Sequence, residues 1–332
     1  MINTCIKSFG KTKNGTIIMP EKLSQSITTQ ELMAIDYRYN FTADELEKDW
    51  KKLVNAKEFK LGSQYKPGMK LCQHFCPNFW EIQNKRGESF SQAWQNYEIM
   101  DKVRKWGLQG MSQLWLSWIR RAVFMAAGLP NSSFYRPHFS KQITMMTGKS
   151  NGTLFDPCFG WGGRMLGTVA NNWNYIGCDP NKETHDNVSK ILEFIKSKNL
   201  LHFPEVNLHN IPAEDYDFQD SEKVDIILTS PPYFNLEIYN DNDNQSYNKH
   251  DNYESWRDSW LYPLIQNCFS ILNDDGLSAW NVMNFKRYDL VGDIIKIHEN
   301  NGFKLVNTVG FQSPLSNIRK LKNKDITYIF RK

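Results

Sequence analysis

Two short stretches of this chain hold residues whose types and order suggest chemistry. The first is Asp156-Pro157-Cys158-Phe159-Gly160-Trp161-Gly162-Gly163-Arg164, a glycine cluster that ends an apolar run. Glycines between a strand and a helix let the backbone approach a ligand closely, at the strand ends where open α/β sheets bind cofactors. A phosphate-cradling loop would need Gly-Lys followed by Ser or Thr, which is absent, and the dinucleotide pattern fails at its third glycine, where Met165 stands. A third reading is a site for S-adenosylmethionine, with the turn passing the cofactor and an acidic residue on the next strand accepting from the ribose hydroxyls. Asp179, in Tyr175-Ile-Gly-Cys-Asp179, is positioned for that role. The second stretch is Ser230-Pro231-Pro232-Tyr233, directly after the apolar run Val224–Leu228. On its own this corner reads equally as a rigid strand-ending turn, because consecutive prolines stiffen the backbone.

The elements that must carry these stretches follow from periodicity. From Gly152 onward the chain alternates strand, turn and helix. Strands are predicted in GTLFD, NYIGC, EVNLHN and VDIILTS, a helix from Ser255 that Gly276 stops, a strand in LSAWNVM, and a closing hairpin of FKLVNTVGF and ITYIFRK. Such alternation makes a mostly parallel sheet with helices on both faces. Residues 1–150 read as mainly helical. Thr42-Ala-Asp-Glu45 is a capping box, and Tyr97 to Ala127 carries helical spacing that Gly107 and Gly110 divide. Six tryptophans lie in this half (Trp50, Trp80, Trp94, Trp106, Trp115, Trp118); most belong to a core, with one or two exposed for stacking on bases.

The net charge of +4 conceals an asymmetry. Residues 1–150 hold 22 Lys+Arg against 12 Asp+Glu, and residues 151–332 hold 18 against 24. A basic first half suggests a polyanionic partner. No stretch is long and apolar enough to span a membrane and the first residues lack a signal-peptide core, so a cytoplasmic protein is expected. The six cysteines show no disulfide framework, and Cys72-Gln-His74-Phe-Cys76 lacks the second Cys pair of a zinc site, so no metal is expected.

With both stretches in view, the chain resembles the S-adenosylmethionine-dependent DNA amino-methyltransferases, which act on adenine N6 or cytosine N4. Their two signatures are matched by Asp156-Pro-Cys-Phe-Gly-Trp-Gly162 and by Ser230-Pro-Pro-Tyr233, over roughly Phe134 to Lys332. The resemblance implies a Rossmann-like methyltransferase fold with a seven-stranded, mostly parallel sheet and terminal hairpin over residues 131–332, preceded by a mainly helical basic region, residues 1–130, that recognises DNA. It implies S-adenosylmethionine as cofactor, held by Asp156, Phe159, Gly160, Gly162 and Asp179. Pro137, in the segment Phe134–Ile143, would lie beside the methionine moiety, and Glu214 or Asp215 would accept from the adenine amine. Ser230 and the Pro231 carbonyl would accept the hydrogens of the target amine, Pro232 would stiffen the loop, and Tyr233 would stack on a base taken out of the duplex. Serine at the first loop position leans towards cytosine N4. Only 66 residues, 164 to 229, separate the two signatures, so recognition falls to the first half, to Asn240–Tyr253 or to Asn317–Lys324. The family's setting is DNA methylation, including restriction–modification; the alternatives are methylation of RNA or of a protein glutamine, and a non-catalytic DNA-binding protein on the same fold.

Overall fold

The computed structural model describes residues 22–57, 65–110, 114–130, 132–198, 203–239, 244–310 and 325–332. Its first part is helical: a two-residue strand β1 (Lys22–Leu23), α1 (Thr29–Met33), α2 (Ala43–Val54), α3 (Met69–Phe75), α4 (Phe90–Gln95), α5 (Tyr97–Gly110), a two-residue β2 (Leu114–Trp115) and α6 (Leu116–Ala126). Local chemistry sets three of the starts. Thr28, Thr42 and Ser89 each accept from the backbone amide three residues on, while Glu31, Glu45 and Gln92 accept from the cap's own amide. Two donors that no helical carbonyl can reach are thereby satisfied at each end. The Tyr97–Ala127 run does split, but after Gly110. Gly107 lies inside α5, where an added Cβ would stand 3.0 Å from Trp118 and 3.2 Å from Leu114, so its missing side chain admits a neighbour and does not break the helix.

The remaining elements are α7 (Pro137–Met146), β3 (Thr153–Asp156), α8 (Gly163–Val169), β4 (Asn174–Cys178), α9 (Lys182–Lys196), β5 (Val206–His209), β6 (Val224–Thr229), α10 (Tyr253–Trp256), α11 (Tyr262–Ile271), β7 (Leu272–Val282), α12 (Leu290–Asn300), β8 (Lys304–Val309) and β9 (Ile326–Arg331); β3 to β7 alternate and β8 and β9 pair as the sequence reading expects, while α7 and α12 lie outside it. A π turn, Arg257–Leu261, joins α10 to α11. The seven strands lie in the order β5-β4-β3-β6-β7-β9-β8. Pairs from β5 to β7 are parallel, and β9 runs antiparallel between β7 and β8. This is the seven-stranded, mostly parallel sheet with a terminal antiparallel pair that the sequence reading expects. One boundary differs from the sequence reading: the helix stops at Ile271, and Gly276 lies within β7. There the ladder pairs Val224 with Leu272 and then Ile226 with Leu277, so residues 273–276 bulge from it.

The chain forms two compact units. One gathers the described residues up to 40 with those of 77–132 and 237–239; the other holds 41–76, 133–236 and 240–332. A single cut near residue 130 does not reproduce this division, because α2 and α3 group with the sheet. Lys141 on α7 supplies one physical reason: its ammonium donates to the carbonyls of Leu53 (2.9 Å) and Val54 (2.6 Å) at the end of α2. It places a cation at the negative end of that helix. Burial lowers its pKa to about 8, so it remains mostly charged at neutral pH.

Helix α8 rests backbone to backbone on the segment that opens α7. A Cβ at Gly163 would stand 2.1 Å from the Tyr135 carbonyl oxygen, and one at Gly167 would stand 1.9 Å from that of Pro137. Gly167→Ala should therefore force the helices apart and cost about 3 kcal/mol, in the range for overpacked cores. Urea denaturation should show a lower midpoint with an unchanged slope.

Candidate active site

The glycine turn leaves β3 at Asp156 and enters α8 at Gly163. Gly160 (φ +54°) and Gly162 (φ +75°) both occupy the left-handed region, so the turn needs glycine at these two points. The Phe159 amide donates to the Cys178 carbonyl (2.9 Å) and the Gly160 amide to Asp179 Oδ2 (3.0 Å), which ties the turn to the end of β4. Where a side chain at Gly160 would stand, the nearest described atom is an Arg164 nitrogen 4.0 Å away, whereas a Cβ at Gly162 would meet Val188 at 3.2 Å. Gly160 thus faces an open cradle and Gly162 a packed helix.

Asp156 is fully buried and its carboxylate is turned inward. Oδ2 accepts from Arg164 Nε (2.6 Å) and the Tyr175 hydroxyl (2.7 Å), and Oδ1 from the Cys158 amide (3.2 Å). Arg164 also donates to the Cys158 carbonyl. Asp156 therefore shapes the turn from beneath. Phe159 is buried too, near His185. Pro137 is the first residue of α7, buried between Gly68 and Gly167.

Asp179 is half-buried just past β4, its second oxygen accepting from the Asn181 amide (2.9 Å). Burial pushes its pKa up to about 6, against the lowering effect of the two amides. Beyond β5, a 3-10 turn (Ala213–Asp215) separates the two acidic candidates. Glu214 is engaged by Lys249 (2.8 Å) and by Trp260 Nε1 (2.8 Å), while Asp215 is exposed.

The Ser-Pro-Pro-Tyr corner leaves β6, the parallel neighbour of β3, through Leu154–Ile226 and Phe155–Ile227 pairing. From β3 the chain proceeds outward to β4 and β5 on one side, and to β6 and β7 on the other. This reversal of strand order is where open α/β sheets leave a crevice. Pro231 is buried; Ser230, Pro232 and Tyr233 are half-buried. The Tyr233 hydroxyl donates to Asp325 (2.9 Å) and lies 3.2 Å from the Asn281 carbonyl oxygen, and its ring stacks on Phe285 (centroids 6.2 Å apart, 19°). Phe234, which sequence reasoning missed, anchors the loop: at φ +48° it is left-handed, and its ring is buried beside Trp256 (6.0 Å) and Tyr253 (6.3 Å). A left-handed non-glycine residue costs about 1 kcal/mol or more, which the buried ring offsets.

Gly167 lies outside the glycine cluster read from the sequence; its four-residue spacing from Gly163 is the signal that marks it. Cys72 and Cys76 are buried with thiol pKa values raised by that burial, and His74 Nδ1 accepts from the Phe41 amide (3.2 Å). Among the described residues no group of three or more His, Cys, Asp or Glu is arranged to hold a metal ion. Of the six tryptophans, Trp106 and Trp115 are the exposed ones, with Lys102 Nζ 4.9 Å from the Trp106 ring. Asn317–Lys324 and residues 240–243 lie outside the described residues.

Residues 224–332, which begin at β6 and include the Ser-Pro-Pro-Tyr corner, match a family model described as DNA methylase. That match covers 109 of the 332 residues. Solved structures with a similar chain course include a methyltransferase from Pyrococcus furiosus (14% identity, TM-score 0.39, covering 60% of this chain and 85% of that one). Trm5b from Pyrococcus abyssi gives 12% identity and a TM-score of 0.35, over 60% of this chain and 50% of that one, so the match spans about half of that protein. A TehB-like SAM-dependent methyltransferase from Corynebacterium glutamicum gives 14% and 0.37, over 64% and 94%. Comparison with curated proteins yields no match. No helix among the described residues is long and apolar enough to cross a membrane.

The buried ion pair under the turn generates a stability prediction. Arg164→Leu leaves the Asp156 carboxylate buried without its cation, and should cost about 3–5 kcal/mol. Combining it with Asp156→Leu should recover part of that loss, read by chemical denaturation of both variants.

Proposed function

We propose that the protein transfers a methyl group from S-adenosylmethionine to the exocyclic amine of a base in DNA. The observation that carries this reading is that the glycine turn on β3, Asp179 beyond β4 and the Ser-Pro-Pro-Tyr corner on β6 all open at the same strand ends, on either side of the reversal in strand order. The DNA methylase match over the part holding the corner supports the substrate class, and the serine leans the target towards cytosine N4, with adenine N6 as the alternative.

The residues present fit the cofactor. Gly160 offers an open backbone cradle, Asp179 a carboxylate for ribose hydroxyls, and Asp215 an exposed acceptor for the adenine amine. Asp156 and Pro137 act through the turn and helix they hold. When bound, S-adenosylmethionine supplies an electrophilic methyl group on a sulfonium. An exocyclic amine is a weak nucleophile because its lone pair is delocalised into the ring. The Ser230 hydroxyl and the Pro231 carbonyl accept from its two hydrogens and favour a pyramidal nitrogen, while the prolines hold that carbonyl in place. Tyr233 presents its ring to the extruded base, with its hydroxyl fixed by Asp325 and its ring backed by Phe285.

Asp179 gives this reading a pH signature. Its folded pKa of about 6 lies above the ordinary 3.8, so its ionisation as pH rises from about 4 to 6 weakens the free protein. Ribose hydroxyls need the ionised form, so cofactor affinity should rise over the same interval and level off above pH 6. Calorimetric titrations at pH 5 and 7 should differ by up to about tenfold, and Asp179→Asn should abolish the difference. Unchanged pH dependence in that variant would remove Asp179 from the site.

Ser230→Ala keeps both prolines and the Pro231 carbonyl. Its single-turnover rate on DNA should fall roughly ten- to hundredfold with DNA affinity nearly unchanged, since the hydroxyl acts as the lone pair localises. Mass spectrometry of the methylated nucleoside, with DNA and RNA offered in parallel, identifies the base. Wild-type turnover in Ser230→Ala, or methylation of RNA alone, would overturn the assignment.

A further inference from the structure

One residue before its end, β7 carries a buried polar side chain that the methyl-transfer reading does not use. Asn281 is 6% exposed, its neighbours Trp280 and Val282 are fully buried, and asparagine is depleted in strands. A buried amide costs stability unless its hydrogen bonds are made. The ladders place this one beside the second loop. Trp280 pairs with Thr229, the last residue of β6 before Ser230, and Asn281 itself pairs with Thr327 on β9.

The bonds of Asn281 belong to a chain of contacts that runs from the Tyr233 hydroxyl to the glycine turn. Tyr233 donates to Asp325 Oδ1 (2.9 Å), and Asn281 Nδ2 donates to the same oxygen. Asn281 Oδ1 accepts from Thr327 Oγ1 (3.0 Å), which lies 3.1 Å from the Tyr135 hydroxyl. The Arg164 guanidinium lies over the Tyr135 ring, 5.2 Å from its centre, and Arg164 is the cation paired with Asp156 under the turn. Donor chemistry fixes the direction of each hydrogen bond. An ionised Asp325 can only accept, so the Asn281 amide turns its nitrogen to Asp325 and its oxygen to Thr327. Thr327 must then donate to Asn281, which leaves the Tyr135 hydroxyl to donate to Thr327. The Asn281 backbone carbonyl, 3.2 Å from the Tyr233 hydroxyl, adds a second contact to the same residue.

We infer that Asn281 is a positioning residue for methyl transfer: through Asp325 and its own carbonyl it holds the base-stacking ring of Tyr233 in register with the cofactor turn. In-line transfer needs the target amine and the sulfonium methyl aligned, and the two are held by loops that leave different strands. A small shift of one loop against the other is therefore costly to the rate, even where each loop still binds its own ligand. This inference rests on the methyl-transfer reading, and one of its readouts needs no DNA.

Tyr233→Phe removes the hydroxyl and keeps the stacking ring, while Asn281→Ala cuts the chain one link further on. Each should lower the single-turnover rate on unmethylated plasmid DNA about tenfold, with S-adenosylmethionine affinity within about twofold of wild type. The double variant should be no slower than the slower single variant, because both substitutions break one chain. Thr327→Val removes a hydroxyl from the same chain and should lower the rate about three- to fivefold, which keeps the test open where Asn281→Ala folds poorly. NMR of protein labelled with carbon-13 at tyrosine Cζ reads the hydroxyl directly, the Tyr233→Phe spectrum assigning the resonance. The Tyr233 signal should move in Asn281→Ala and, by less, in Thr327→Val. An unmoved Tyr233 resonance in the folded variants, a wild-type rate in Asn281→Ala, or losses that multiply in the double variant would overturn the inference. A wild-type protein that methylates no DNA would instead overturn the methyl-transfer reading, and the Tyr233 resonance would still decide whether Asn281 holds the ring.

Discussion

A carboxylate sealed beneath a turn governs the candidate site. Asp156 cannot reach solvent, so its charge is stable only because Arg164 and Tyr175 face it and the Cys158 amide completes its shell. Arg164 is the second residue of α8 and Tyr175 lies on β4, so satisfying one buried charge fixes the relation of β3, β4 and α8. The glycine turn between them inherits that geometry. Gly160 is then presented to open space and Gly162 to a packed helix, although in sequence the two differ only by position.

The second loop is held in another way. Ser-Pro-Pro-Tyr is gripped through its neighbours, with Phe234 pressed into Tyr253 and Trp256 and the Tyr233 hydroxyl tied to Asp325 near the start of β9. Aromatic burial of this kind tolerates an unfavourable backbone angle because the ring's transfer from water outweighs it. Trp260, stacked on Trp256, donates to Glu214 beside the exposed Asp215. A continuous set of contacts thus runs from the proposed adenine side of the cofactor site to the proposed base-capturing loop.

The charge asymmetry changes meaning once the units are known. Half of the basic excess of residues 1–150 lies in 41–76 and 133–150, where ten Lys+Arg face five Asp+Glu, and these segments belong with the sheet. Positive charge is therefore not confined to the helical unit. Some of it is internal, as with Lys141 on the end of α2, and contributes to folding instead of to an electrostatic footprint.

The sequence by itself determined the alternation of strands and helices, the capping boxes, the two loops and their order, because each rests on the identities of residues close together in the chain. It did not determine that Asp156 turns inward, since that depends on Tyr175, nineteen positions away. Nor did it separate Glu214 from Asp215, because the choice is made by Lys249 and Trp260. The left-handed angle of Phe234, the exposure of Trp106 and Trp115, and the grouping of α2 and α3 with the sheet were decided in tertiary structure for the same reason. Periodicity reports which face of an element is apolar, but not which distant side chain meets it, and burial, charge pairing and backbone strain are properties of that meeting.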